Sequence, residues 1–214
     1  MKQADLLIFD LDGTLVRSGE DIAAAVNHAL SSLGLSAIDP ETIRGFVGDG
    51  LQLLLERSLG PQAGEYLDRA TLLFSDHYAA HLLDHTTLYP EMAVVLDHFQ
   101  NKKKVIITNK KEAFTQRITE GLGIRGQFLD VLGEDSAPYK KPDQRLLSQV
   151  MKKWGVLPQQ TVVIGDGIND LLLARNAGAA SCAFLNGLTE KGKLLSLRPD
   201  LVYERPSDLM LLIE

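Results

Sequence analysis

Cysteine is nearly absent from the chain: Cys182 is the single one in 214 residues. One thiol allows no disulfide within the chain and fits a reducing compartment, so the expected location is cytoplasmic. Apolar runs approaching the ~18–20 residues that a membrane-spanning helix needs are missing, so no membrane partner is expected. The first strand begins near residue 5, which leaves no room for a signal peptide. Internal repeats and low-complexity tracts are also missing. Positive charge is in deficit, with 22 Lys and Arg against 28 Asp and Glu and a net charge of −6. A surface of that sign repels a phosphodiester backbone, which argues against nucleic acid. What is present is 45% hydrophobic and 23% charged. That is ordinary for a globular protein long enough for one sizeable core and a smaller second unit.

The most informative stretch lies at the start. Asp5-Leu6-Leu7-Ile8-Phe9 is an apolar run after one acid, the pattern of a parallel strand covered on both faces. Two aspartates follow where the run stops, in Asp10-Leu11-Asp12-Gly13-Thr14. Gly13 allows a sharp turn there, and Thr14 can hydrogen-bond locally. Carboxylates at the carboxyl end of a strand in an open α/β sheet sit at the usual ligand crevice.

Residues 20–33 then have helical spacing, with Ile22, Val26, Ala29 and Leu33 on one face, Ser18 or Gly19 as a cap and Gly34 as a stop. A short helix is expected after Asp39, with Pro40 at its first position and Ile43 inward. Arg44-Gly45-Phe46-Val47-Gly48-Asp49-Gly50 reads as a glycine-rich loop, followed by helices over 51–59 and 62–83. From residue 91 onward helices and strands alternate, with strands expected at 103–108, 128–132, 161–165, 180–184 and 201–203. The reading is an α/β fold, a doubly wound parallel sheet interrupted after its first strand by a helical block. The expected division is a core of residues 1–15 and 87–214 and a cap of residues 16–86, hinged at 16–18 and near 85–87. Cys182 falls in a core strand and reads as a buried thiol.

Three further segments can carry chemistry. Thr108-Asn109-Lys110 ends a strand and precedes a helix, where a hydroxyl and free backbone N–H groups can bind phosphate oxygens. Lys110 is either part of that contact or solvated. Lys140-Lys141-Pro142 precedes another helix, with Pro142 pre-setting its start and Lys140 read as a surface charge. Asp166-Gly167-Ile168-Asn169-Asp170 follows the 161–165 strand, and that strand is expected beside the first. Asp166 and Asp170 would then face Asp10 and Asp12. Four carboxylates and a phosphate cannot share a crevice unaided, so a hard divalent cation is expected, with Mg²⁺ the best suited. His77 and His81 are four apart on a helix but lack a third ligand.

Asp10-Leu11-Asp12-Gly13-Thr14, Thr108-Asn109-Lys110, Lys141-Pro142 and Gly165-Asp166-Gly167-Ile168-Asn169-Asp170 together resemble the four motifs of the haloacid dehalogenase (HAD) superfamily. The helical insertion resembles the cap of its phosphoglycolate phosphatase and β-phosphoglucomutase branch. The resemblance implies that Asp10 is a nucleophile forming an aspartyl-phosphate and Asp12 a general acid/base. It assigns Thr108 and Asn109 to phosphate and Lys141 to charge neutralisation. Mg²⁺ would be held by the Asp10 carboxylate, the Asp12 backbone carbonyl and Asp166, with Asp170 binding through water or orienting the site. The implied activity is hydrolysis of a small phosphorylated metabolite, 2-phosphoglycolate foremost, by a monomer or homodimer. A sugar phosphomutase or pyrophosphatase of the same superfamily is the alternative, and a phosphate-accepting signalling domain a rival of another class. Arg44 either clamps a substrate carboxylate or pairs with a nearby acid. Two departures from the branch stand out: Gly167 where Ser is common, and Arg17-Ser18-Gly19-Glu20 where Asp-Ser is usual.

Overall fold

The computed structural model describes residues 1–214. The chain forms β1 (Leu6–Phe9), β2 (Val16–Arg17), α1 (Gly19–Ser32), α2 (Pro40–Arg44), α3 (Leu51–Leu59), α4 (Ala63–His81), β3 (Thr87–Leu88), α5 (Met92–His98) and β4 (Lys103–Ile107). It continues through α6 (Glu112–Gly121), β5 (Asp130–Leu132), α7 (Gln144–Trp154), β6 (Thr161–Gly165), α8 (Ile168–Ala177), β7 (Ala180–Phe184), α9 (Lys191–Ser196), β8 (Leu201–Tyr203) and α10 (Leu209–Leu212). Six strands make one sheet in the order β5-β4-β1-β6-β7-β8, and every neighbouring pair is parallel. The α/β doubly wound reading holds.

Strand β1 is central. All four of its residues are fully buried, because helices cover both faces, which is why its sequence does not alternate. It pairs with β4 on one side and β6 on the other. The chain reverses its winding direction there, so the crevice at the carboxyl ends of β4, β1 and β6 is the switch point. The juxtaposition of β1 with the 161–165 strand is the one the motif spacing requires. Cys182 lies fully buried in β7, and burial pushes its thiol up.

The helical block α1–α4 leaves the sheet directly after β1 and returns before α5. Its inner face is apolar: Ile22, Val26, Ile43, Leu55, Ala70, Phe74 and Tyr78 are buried. Asp39 caps α2 by accepting from the Thr42 N–H at 3.1 Å, with Pro40 at the first position and Ile43 inward as expected. The connections at 16–18 and 85–87 contain an element the sequence does not announce. Val16 and Arg17 pair antiparallel with Leu88 and Thr87 as a two-stranded ribbon. Beside it, Asp21 at the start of α1 is buried and accepts from the His85 N–H, the Thr86 N–H and the Thr86 hydroxyl at 2.7–3.1 Å. Both crossings are thereby tied at one point.

Candidate active site

Each motif delivers its side chain from a strand end or a loop over the switch point. Asp10 follows β1, and its N–H donates to the Ile164 carbonyl of β6 at 2.9 Å. The chain then turns back at Gly13, whose φ is +83°. A Cβ there would stand 2.2 Å from Asp166 Oδ2, so only glycine lets this turn approach that carboxylate. Thr14 is fully buried, and its hydroxyl donates to Asp166 Oδ1 at 2.7 Å while the Leu188 N–H donates to Oδ2 at 2.7 Å. Asp170 lies one turn into α8, where its Oδ2 accepts from the Gly167 N–H at 3.0 Å. Lys141 reaches across to place Nζ 2.7 Å from Asp170 Oδ1 and 2.7 Å from Asp10 Oδ1. Asp10, Lys141, Asp166 and Asp170 are all buried.

Charge in this cluster does not balance. Three carboxylates share one ammonium. Burial, with Asp10 and then Asp170 as like-charged neighbours, pushes the Asp166 carboxyl well above the ordinary carboxylate range. Burial and Asp10 raise Asp170 likewise, against the pull of Lys141. Burial opposes the Lys141 ammonium, but Asp10 and Asp170 outweigh it and hold it above the ordinary lysine value. Asp10 Oδ1 is buried, and the Lys141 ammonium at 2.7 Å is the one cation beside it.

A divalent cation fits these residues. Oxygens of Asp10, Asp166 and Asp170 all lie within 4.8 Å of one another. The donors are hard oxygens, three carboxylates share a single ammonium, and a charge of +2 restores neutrality. The site accommodates no side chain in its place: a Cβ on Gly187 would fall 2.4 Å from Asp166 Oδ2.

Asp12 points to a different partner. Its carboxylate takes the Lys110 ammonium at 2.9 and 3.0 Å and a hydrogen bond from the Ser18 hydroxyl. Ser18 precedes α1 but makes no side-chain cap there, because its hydroxyl is committed to Asp12. Lys110 is not solvated: only 8% of its side chain is exposed, and its ammonium lies 4.7 Å from the centre of the Tyr78 ring. Burial opposes the charge on Lys110, and Asp12 more than restores it. Lys140, by contrast, is exposed. Pro142 stands outside α7, whose cap is Asp143, accepting from the Arg145 N–H at 2.9 Å.

Thr108 and Asn109 are buried at the end of β4. Thr108 Oγ1 accepts from the Lys110 N–H at 3.3 Å. Asn109 is turned toward the helical block, donating from Nδ2 to the Gly48 carbonyl at 3.0 Å. Asn169 donates to that carbonyl at 3.3 Å and to Asp49 Oδ1 at 2.7 Å, and Arg57 holds the other Asp49 oxygen at 2.5 Å. The glycine-rich loop is thus latched to the core by two asparagines. Arg44 is not part of this arrangement. It pairs with Glu41 on its own helix, and its stem lies against Gly19, so the local-acid alternative is the one observed.

Between the two parts lies a cleft of about 560 Å³ including its open mouth, lined by Asp10, Asp12, Thr108, Asn109, Lys110 and Lys141 on one side. Ile22, Leu51, Leu54, Phe74 and Tyr78 line it from the helices. Arg44 is not among the lining residues. Thr14, Ser18, Tyr78 and Asn169 belong to the site although motif reading did not single them out as site residues, and so does Lys110, which that reading left open between phosphate contact and solvent. The first two sit inside or next to the Asp-x-Asp segment, Lys110 inside the Thr108 segment and Asn169 inside the Asp166–Asp170 segment, so adjacency was an available signal for four of them. His77 stacks between His28 and His81 at ring separations of 4.1 and 4.4 Å, on the helical block and apart from the carboxylates.

Residues 7–184 match the family of haloacid dehalogenase-like hydrolases. A phosphoglycolate phosphatase of Vibrio parahaemolyticus is 36% identical over 98% of this chain and 97% of its own length. One from Chromobacterium violaceum is 36% identical over 91% of this chain and 90% of its own. The crystal structure of a predicted phosphoglycolate phosphatase from Haemophilus somnus superposes with a TM-score of 0.93 at 27% identity, covering 99% of both chains.

Proposed function

Because the chain belongs to the haloacid dehalogenase-like hydrolase family, we propose that it is a Mg²⁺-dependent phosphatase of small phosphomonoesters, working through an aspartyl-phosphate on Asp10. The observation that carries this reading is the buried cluster of Asp10, Lys141, Asp166 and Asp170, short of positive charge, with Asp10 and Lys141 beside Asp12 on one side of the cleft. 2-Phosphoglycolate, which appears in the relatives' names, is the reference substrate.

Asp10, Asp166 and Asp170 would hold the metal. Bound there, Mg²⁺ supplies charge neutralisation and Lewis acidity for the phosphoryl oxygens. The chain's own groups do the rest. The phosphoryl group enters between Asp10 and Thr108 and draws the Lys110 ammonium away from Asp12, which is then free to carry a proton. Asp10 attacks phosphorus, the bond to the alcohol oxygen breaks, and Asp12 gives its proton to the departing alkoxide. Water then attacks the phosphorus of the aspartyl-phosphate and gives its proton to Asp12. The bond to Asp10 breaks, and inorganic phosphate leaves. Lys141 stays against Asp10 through both steps and screens the charge. The helical block acts as a cap that opens about the β2–β3 ribbon to admit the ester and closes through the Gly48–Asn109–Asn169 contacts.

The test is release of inorganic phosphate from 2-phosphoglycolate, β-glucose 1-phosphate and pyrophosphate, with Mg²⁺ or with EDTA. The expected result is release from a monoester that EDTA abolishes and Mg²⁺ restores. Isomerised sugar phosphate without net release would replace the phosphatase by a mutase, and no turnover of any ester would overturn the enzyme reading.

A further inference from the structure

The part of the cleft that must receive the alcohol is apolar where a two-carbon acid would need it charged. Ile22, Leu51, Leu54 and Phe74 line it from the helical block and Phe114 from α6. Two of its three lysines are committed, Lys110 to Asp12 and Lys141 to Asp10 and Asp170; the third, Lys111, stands at the start of α6 and not on the helical block, and Arg44 is turned to Glu41 outside the cleft. One polar group on the helical side is unspent. Tyr78 is 1% exposed, and its hydroxyl is buried without a hydrogen-bond partner. The Lys110 ammonium beside it can only donate, so the phenolic proton has no acceptor in the protein. Burial pushes this phenol up to about 12, so the proton stays on it. A buried donor left unmatched is costly, and a ligand oxygen removes that cost.

We propose that the cleft is built for phosphomonoesters of apolar alcohols longer than two carbons that carry one uncharged acceptor oxygen for the Tyr78 hydroxyl. The inference rests on the phosphatase reading and concerns the leaving alcohol alone. An alkyl chain replaces water along Leu54 and Phe74, whereas a carboxylate placed against them loses its hydration without gaining a cation from the helical block.

Three esters decide it: 2-phosphoglycolate, n-butyl phosphate, and 2-methoxyethyl phosphate, which is the butyl ester with one methylene replaced by an ether oxygen. With Mg²⁺ present, kcat/KM for both longer esters should exceed that for 2-phosphoglycolate by about tenfold, from roughly two further buried methylene-sized groups. Tyr78→Phe should lower the ratio of methoxyethyl to butyl ester by about fivefold. Phe114→Asn, at a half-buried wall position, should lower the ratio of butyl ester to 2-phosphoglycolate by about threefold or more. A preference for 2-phosphoglycolate that disappears in Lys111→Met would give the alcohol's end to a carboxylate clamp and overturn the proposal. An unchanged ester ratio in Tyr78→Phe would overturn the role of that hydroxyl. No phosphate from any ester would overturn the phosphatase reading and this inference with it.

Discussion

The two walls of the cleft are made of different materials. The sheet side is almost wholly ionic: Asp10, Asp12, Asp166 and Asp170 face Lys110 and Lys141 within a buried network. The helical side is apolar, and its side-chain hydrogen bonds to the sheet side are made at two places, Ser18 to Asp12 and the Gly48–Asp49 latch. Chemistry that moves a phosphoryl group needs fixed charge, which a parallel sheet can hold at its strand ends. Choosing among alcohols needs shape and apolar area, which packed helices supply. A split of this kind lets the helical side change without disturbing the ionic side.

Breaking the ionic side should have the largest effect. Asp10→Asn removes the nucleophile while keeping the shape of the side chain, so turnover should fall by about 10⁴-fold or more with the circular dichroism spectrum unchanged. Substantial residual activity would move the nucleophile elsewhere.

Cutting the tie at the ribbon should cost stability instead. Asp21→Asn leaves a donor where the His85 and Thr86 N–H groups need acceptors, a loss of about 1–3 kcal/mol by urea unfolding at neutral pH. The sign of its pH dependence follows from the carboxyl itself. Burial raises the Asp21 pKa, but hydrogen bonds from Thr86 and His85 outweigh it, so the folded value lies below the ordinary one. The wild-type advantage is therefore complete above the unfolded value of about 4 and disappears as pH falls through the folded value. Urea midpoints of the two proteins should separate at neutrality and converge in acid, below the unfolded carboxyl value.

Releasing the latch should be milder. Asn169→Ala removes the bonds to Gly48 and Asp49 and should lower kcat/KM by about tenfold, mainly through KM, with the stability of the sheet side little changed. Equal loss in kcat alone would instead place Asn169 in the chemistry. The smallest effect is expected of Arg44→Ala, because Arg44 faces Glu41 on a partly exposed helix end. Its stability should move by no more than about 0.5 kcal/mol and its kcat/KM by less than about twofold. A large loss confined to 2-phosphoglycolate would restore Arg44 as a carboxylate clamp.

The same contrast explains what the sequence disclosed. The strand-end residues were legible because each sits in a short segment whose local pattern, apolar strand then turn, says where it will lie. Asp10 and Asp12 share one such segment, and Asp166 and Asp170 share another. The placing of the first strand beside the 161–165 strand followed from the need for these segments to meet, while the rest of the strand order came from the structure. The helical side was legible only as helices. Its contacts with the sheet run over long separations, such as Asn169 to Gly48 or Lys110 to Asp12, and no local spacing encodes which polar groups will face each other. Arg44 stood open between a substrate carboxylate and a nearby acid, and Glu41 three residues earlier is the partner it takes in the structure. Ser18 shows the converse, a helix-start residue whose hydroxyl serves Asp12 rather than the backbone. The β2–β3 ribbon, two residues a side, was too short for periodicity to reveal.

The most direct test of the account is to find the phosphoryl group on the enzyme. Wild-type protein mixed with a turned-over ester and Mg²⁺, quenched in acid within one turnover and mapped by peptide mass, should carry phosphate on the peptide containing Asp10, and the label should be absent in Asp10→Asn. Phosphate released at full rate with no phosphorylated peptide, or with the label on another residue, would contradict the assignment of Asp10 as the attacking group.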